Sequence, residues 1–393
     1  MKKLIYFQVY DYQKTYYSLK NKDPETYLYQ KQFSEFTASL INKHEIKEVC
    51  VVCFGVAAEY DQILPNGIRA KGIPFSLTDQ NQTQIAKKFI DLYAPTHAIV
   101  LVPLSKLIKY CTLKKIKTLV MIADSFTGTG LRGLISCWRF AWILNNKYVE
   151  LVSNHNYPAS CLLKSFGVYD QKIVPWDFTW DIDVDKYPAK VFKENQQVWK
   201  FFYAGRIMAE KGVSDIIKAI YFLKKKNRDA KAVFAGGGNI SEFEKQAADL
   251  GIADRIKFLG IVAHEQVLSG MRDADIVLVP SQIKSSEGMA CTIYESFLVK
   301  TPLILSDHPV FREAVKNGVF FKAGNSNSLA KAINALLDNP LLYNQLSRNS
   351  AAALKKLIVP FNSIEIINHW LSGLDADKQW LLEHSLLKLK KLN

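Results

Sequence analysis

The chain has no run of about 18 consecutive apolar residues, so no helix is expected to cross a bilayer. Its opening stretch, Met1-Lys2-Lys3-Leu4-Ile5-Tyr6-Phe7, stops being apolar at Gln8, and no small-residue cleavage site follows. It therefore reads as a first strand and not as a secretory leader. Cysteine is sparse: of six, only Cys50 and Cys53 are close, inside the apolar run 49–54. No second pair or histidine follows at metal-ligand spacing, so buried free thiols in a reducing, cytoplasmic compartment are expected. Histidines are scattered without an HExxH pair, which leaves no expected metal site. A Gly-x-Ser-x-Gly elbow and the Walker order Gly-x4-Gly-Lys-Ser/Thr are both absent, which argues against an α/β-hydrolase nucleophile and a P-loop. Glycine is missing altogether before Gly55. Acidic residues are short too, 37 against 51 basic, for a net charge of +14. This favours an anionic partner without naming one. The +7 of residues 1–190 sits entirely within 104–147, whose eight cations face only Asp124.

What is present is ample apolar content, 49% of 393 residues, in a pattern that alternates between strand-like runs and helical periods. Strands are expected at 3–9, 48–54, 96–102, 118–123, 148–152 and 172–175, with a tyrosine-rich loop after the first. Asp23-Pro24-Glu25 reads as a helix start. Residues 105–117 read as a basic helix and 131–145 as a helix mixing aromatics with arginine. A second alternation begins at Trp199, with strands at 199–204, 230–235, 255–259, 276–280, 303–306 and 319–321. The fold class is thus α/β: two Rossmann-like, doubly wound parallel-sheet domains. The expected boundaries are 1–175, a linker at 176–196, 197–358, and C-terminal helices at 359–393 that could pack back on the first domain.

In such sheets ligands bind beyond the carboxyl ends of the strands. Three loops there carry chemistry. The stretch 281–295 joins an apolar strand to a helix, and a helix N-terminus suits a phosphate. Glu287 and Glu295 bracket that turn, about 12 Å apart along a helix, which is too far for a shared-bond dyad. The spacing suits one extended ligand with a carboxylate near each end, as in a sugar nucleotide. Gly205-Arg206-Ile207-Met208-Ala209-Glu210-Lys211-Gly212 follows another strand, and its Arg206 and Lys211 suit a diphosphate, although two exposed loop cations would read the same. Gly236-Gly237-Gly238 fits a close backbone approach to a ligand or a flexible turn. His264 reads as a helix-start residue. Gly128-Thr129-Gly130-Leu131-Arg132-Gly133 mimics a dinucleotide fingerprint, but it follows its strand late, and its acidic partner Glu150 lies within a strand. The cations and aromatics of 104–147 are compatible with peripheral contact with an anionic membrane or with an ordinary core helix. A nucleic-acid partner is not expected, since no recognisable binding module is present.

The ordered set Gly205-Arg206, Glu210-Lys211-Gly212, Phe258-Leu259-Gly260, Pro280-Ser281, Glu287-x7-Glu295, Thr301-Pro302 and Glu313 to Gly318 resembles the retaining GT-B glycosyltransferases of family 4, glycosyl transferases group 1. The resemblance covers residues 198–340. It implies two domains facing across a cleft and metal-independent transfer of a sugar from a nucleoside-diphosphate-sugar, with no further cofactor. By this resemblance Arg206 and Lys211 stabilise the leaving diphosphate, Glu287 holds the transferred sugar, and Glu295 holds the ribose. Gly205 and the backbone of Gly288, Met289, Ala290 and Thr292 line the phosphates, while Ile261 and Val262 flank the base. The first domain departs from the pattern. The usual Gly-Gly loop is replaced by Val9-Tyr10-Asp11-Tyr12-Gln13. Asp124 stands where a histidine is common, a candidate for an active-site role and equally for a turn residue. The expected function is retaining sugar transfer to an acceptor hydroxyl of a cell-envelope or lipid-linked glycan, in the cytoplasm or on the inner membrane face. The alternatives are a silent nucleotide-sugar-binding subunit, a GT-B epimerase, and an NAD enzyme at 128–133.

Overall fold

The computed structural model describes residues 1–27, 29–126, 130–178 and 183–389. The chain divides into two compact units, Met1–Thr179 with Val359–Asn393, and Trp180–Ile358.

In the first unit the described strands form an eight-stranded sheet. They are β1 (Lys2–Gln8), β2 (Ile46–Val56), β3 (Tyr60–Ile63), β4 (Arg69–Pro74), β5 (His97–Val100), β6 (Lys117–Ile122), β7 (Val149–His155) and β8 (Ile173–Trp176). Their order is β3-β4-β2-β1-β5-β6-β7-β8, parallel except for β3, which runs antiparallel to β4. Side chains of a strand alternate between sheet faces, and β1 is buried on both. Ile5 and Phe7 join the core formed with Val100, Ile108 and Leu144, while Leu4 and Tyr6 join the one with Leu40, Ile366 and Trp370. Burial on both faces explains why these strands read as continuous apolar runs.

The second core belongs in part to the C-terminal segment. After the helix Pro340–Leu357, the chain re-enters the first unit. The carboxylate of Asp177 fastens it there, accepting the Val359 amide at 3.1 Å while also meeting His155 Nε2 at 3.2 Å. The helix Ser363–Ser372 then begins with a capping box, Asn362 and Glu365 exchanging hydrogen bonds. Its Trp370 donates to Glu150 at 3.0 Å.

The second unit holds a six-stranded parallel sheet among the described residues: β9 (Trp199–Ala204), β10 (Ala230–Ala235), β11 (Ile256–Phe258), β12 (Ile276–Val279), β13 (Leu303–Ser306) and β14 (Val319–Phe321), in the order β11-β10-β9-β12-β13-β14. The order reverses at β9 and β12, neighbours whose following loops lie side by side. Phe201 and Tyr203 pack with Ile216, Ile220 and Ile333 on one face. On the other, Phe202 lies so close to Gly270 that a Cβ there would come within 2.3 Å of its ring, which brings the helix His264–Asp273 tight onto β9.

Two local expectations fail, for identifiable reasons. The tyrosine-rich segment is a helix, Tyr12–Lys20, because Asp11 caps it by accepting the Lys14 amide. The helix expected from Asp23-Pro24-Glu25 starts later, at Gln30. Glu25 still serves its N-terminus from outside, its Oε2 accepting the Lys31 amide at 3.0 Å. Residues 56–80, given no element from sequence, hold the β3–β4 hairpin.

Candidate functional site

The carboxyl ends of β9 and β12 bring together most of the residues singled out in the second unit. Gly212 caps the helix Val213–Lys225 at φ +75°, and a Cβ on it would fall 2.1 Å from the carbonyl oxygen of Pro280. Only glycine permits that conformation and that approach without strain. The contact presses the loop after β9 against the loop after β12, and Gln282 donates its amide to Glu210 O at 2.9 Å across the same seam. The result is the pairing of Lys211 Nζ with Glu287 Oε1 at 2.5 Å, with side chains only 14% and 10% exposed. Two hydroxyls converge on the same oxygen, Ser281 Oγ at 2.6 Å and Ser285 Oγ at 3.3 Å. A carboxylate taken out of water needs such donors.

Ser285 is itself placed by its neighbours. Its carbonyl lies 3.2 Å from His308 Nε2, and burial holds His308 below the usual histidine range and so neutral. Neutrality matters here, because Lys211 already supplies the positive charge beside Glu287.

Arg206 follows Gly205 on the β9 loop and is exposed, with no side-chain hydrogen bond or ion pair among the described residues. Its carbonyl accepts the Tyr203 hydroxyl at 2.7 Å. Burial raises Tyr203 well above the usual phenol range, so it stays a neutral donor. The backbone here is fixed while the guanidinium is available. Gly236 packs directly over this turn, since a Cβ there would lie 1.9 Å from Gly205 O. The close approach at Gly236 is thus to the chain's own backbone.

The helix Cys291–Leu298 starts at the end of the β12 loop. Its N-cap is Ala290, which has no side-chain oxygen to offer the first amides. Gly288 and Met289 are buried just before it. Thr292 turns its hydroxyl to Ala204 O at 3.1 Å, tying the helix start to β9. Near the other end, Glu295 Oε1 meets His264 Nε2 at 2.7 Å. His264 is the first residue of its helix, as read from sequence, but it is also the partner of Glu295. Nothing local signals this pairing across 31 positions. Val262 is half-buried, whereas Ile261 is 71% exposed and lies against Gly237.

Asp124 lies in the first unit. Its Oδ1 accepts the Phe126 amide at 2.7 Å, and its own amide and carbonyl are bound by the Asn154 side chain. This is the geometry of a turn residue. Gly128 and Thr129 lie outside the described residues. Glu150, the acidic partner of the dinucleotide reading, is occupied by Trp370 and Lys117. Among the described residues no cluster of three or more His, Cys, Asp or Glu has metal-binding geometry.

Residues 186–353 match the family model described as Glycosyl transferases group 1. The α-D-kanosaminyltransferase of Streptomyces kanamyceticus is 30% identical over 153 residues, 38% of this chain and 39% of that protein. A phosphatidyl-myo-inositol mannosyltransferase of Mycobacterium leprae is 28% identical over 149 residues, 37% of this chain and 39% of that protein. The chain thus spans about two fifths of the length of these curated relatives. Among solved structures, Anabaena HepE in complex with UDP and glucose superposes with a TM-score of 0.63 at 15% identity, covering 95% of this chain and 98% of that one. Sucrose-phosphate synthase from Thermosynechococcus elongatus gives 0.63 at 14% identity, covering 92% and 95%. The chain therefore has the GT-B fold of these structures, and its residues 186–353 are similar to the glycosyl transferases group 1.

Proposed function

We propose that this protein transfers a sugar from a nucleoside-diphosphate-sugar to an acceptor hydroxyl, with retention at the anomeric carbon and without a metal. The observation that carries the reading is the buried Lys211–Glu287 pair, built from two adjacent strand ends. The exposed Arg206 and the start of the helix Cys291–Leu298 belong to the same two strand ends. When the bond from the anomeric carbon to the diphosphate oxygen breaks, its electron pair stays on the diphosphate. Preorganised cations and backbone amides are the groups that stabilise charge developing there. Arg206 and Lys211 supply the cations in this reading, Glu287 accepts hydrogen bonds from the sugar hydroxyls, and Glu295 holds the ribose, oriented by His264. Gly205 and the backbone of Gly288, Met289, Ala290 and Thr292 line the phosphates, and Ile261 with Val262 covers the base. The acceptor is a cell-envelope or lipid-linked glycan, reached from the cytoplasmic side.

HepE binds UDP and UDP-glucose, so uridine diphosphate sugars are the first donors to try. Donor consumption and acceptor modification are measured across nucleotide sugars, with product stereochemistry by NMR and chelator present throughout. Transfer with retention supports the proposal. An inverted product or dependence on a divalent cation removes those parts of it.

A second reading, a silent nucleotide-sugar-binding subunit, is favoured by the end of β1. Asp11 there caps a helix and accepts the Tyr60 hydroxyl at 2.8 Å, and Tyr10 stacks on Tyr27. Nucleotide binding without turnover on any donor and acceptor pair selects that reading.

A further inference from the structure

The helix Gly130–Leu144 is apolar on two sides. Cys137, Phe140, Ala141 and Leu144 face inward and are buried. On the outside, Leu131 is 80%, Trp138 57% and Trp142 72% exposed, with Leu134 and Ile135 also open to solvent. At 3.6 residues per turn these five side chains fall within an arc of about 100°, a continuous strip that starts at Leu134 beside the buried Ala141 and turns outward to Ile135. The outward face of a helix in water is ordinarily polar, so this strip has no account within its own unit.

The charge around it identifies what could cover it. Arg132 and Arg139 lie roughly 40–60° beyond the Ile135 edge of the strip, and both are exposed. The helix Ser105–Leu113 packs against this one and exposes Lys106 and Lys109. None of these four cations has an ion pair among the described residues, whereas the nearby Lys114 is held by Asp91 at 2.6 Å. The one acid of the segment, Asp124, has an oxygen engaged by the Phe126 amide.

We infer that this strip lies in the interface of an anionic lipid bilayer, with the tryptophans at the level of the headgroups and the arginines and lysines on lipid phosphates. Exposed Trp and Leu beside Arg and Lys form the pattern of a helix lying in the plane of the interface. Free cations at its edge add attraction to an anionic leaflet. Pairing of this face with the same face of a second copy would oppose identical cations, an arrangement that repels. No described helix is long and apolar enough to cross the membrane, so the contact is peripheral. The inference does not depend on the sugar-transfer reading.

The test is flotation of the full chain with vesicles of phosphatidylcholine, alone or mixed with phosphatidylglycerol. Binding is expected on the anionic vesicles at low salt, falling roughly tenfold or more on neutral vesicles or in high salt. The double variant Trp138→Ala with Trp142→Ala weakens it by roughly tenfold or more. Its melting temperature and circular dichroism stay unchanged, because both side chains are exposed. Arg132→Ser with Arg139→Ser flattens the salt dependence. Brominated acyl chains quench the tryptophan fluorescence of the unaltered protein more than that of the tryptophan variant. Absence of flotation at low salt overturns the inference, as does flotation unaffected by the tryptophan variant. An oligomer that the tryptophan variant dissociates, without vesicle binding, reassigns the strip to a protein interface.

Discussion

Arg206 and Lys211 sit five residues apart on one loop but differ in what holds them. Lys211 is part of the buried cluster around Glu287, while Arg206 makes no side-chain bond among the described residues. Stability and activity should therefore separate. Arg206→Ala is expected to leave unfolding free energy within about 0.5 kcal/mol, and to lower transfer by roughly 10²–10³ fold. Lys211→Ala is expected to lower transfer and also to cost about 1–3 kcal/mol, because Glu287 keeps its burial but loses its counter-charge. Urea unfolding alongside a donor-turnover assay reads both effects. Loss of stability in the Arg206 variant would show that its side chain is structural.

A different residue makes the fold sensitive to acid. His97 is buried at the start of β5, and burial, with Lys2 and Lys117 nearby, lowers it from the usual histidine value to about 4. The unfolded chain takes up this proton near 6.5 and the folded chain only near 4, so protonation favours unfolding between those values. The loss starts as pH falls through about 6.5 and is complete below about 4, amounting to roughly 3 kcal/mol. His97→Gln should flatten that part of the stability profile, measured by denaturant titration from pH 7 to 4. An unchanged slope would place the acid sensitivity elsewhere.

At the scale of elements, the seam between the β9 and β12 loops depends on Gly212. Gly212→Ala forces a Cβ toward Pro280 O and strains a positive φ. The expected cost is about 1–3 kcal/mol, together with weaker nucleotide binding, because Lys211 and Glu287 lie on the two sides of the seam. Calorimetry and nucleotide titration test this, and a fully stable variant with unaltered binding would show that the seam gives way easily. The strands of the second unit were legible in the sequence because they are buried on both faces, so Val277 to Val279 and Leu303 to Leu305 are uninterrupted apolar runs. The helix Tyr12–Lys20 was not, since only Tyr12 is buried and no apolar stripe marks it. In the site, the ordered motif located Arg206, Lys211, Glu287 and Glu295 in the chain. It could not show that Ser281 and Ser285 serve Glu287 or that His264 reaches Glu295. Those pairings depend on how loops and helices pack, and nothing in the local sequence encodes that. Asp124 illustrates the same limit, because one aspartate after a strand reads alike as a catalyst or a turn.

Across the whole molecule, the chain leaves the first unit, builds the second, and returns. The returning segment buries Val359, Phe361, Ile366, Ile367 and Trp370 on one face of the first sheet. Removing residues 359–393 should therefore loosen the first unit and spare the second. Limited proteolysis is expected to cut within 1–178 at least tenfold faster in the truncated chain, and within 183–358 at an unchanged rate, because exposure of a core face makes local opening cheaper. Equal rates in both chains would mean that the first unit closes its core without the segment.

The same path sets the order of events during synthesis. Domains form as they are made, but the first unit cannot cover its second core until every residue of the other unit has been translated. The part made first is thus the part finished last. In the interval its apolar sheet face is bare, and chaperones or misassembly would compete for it.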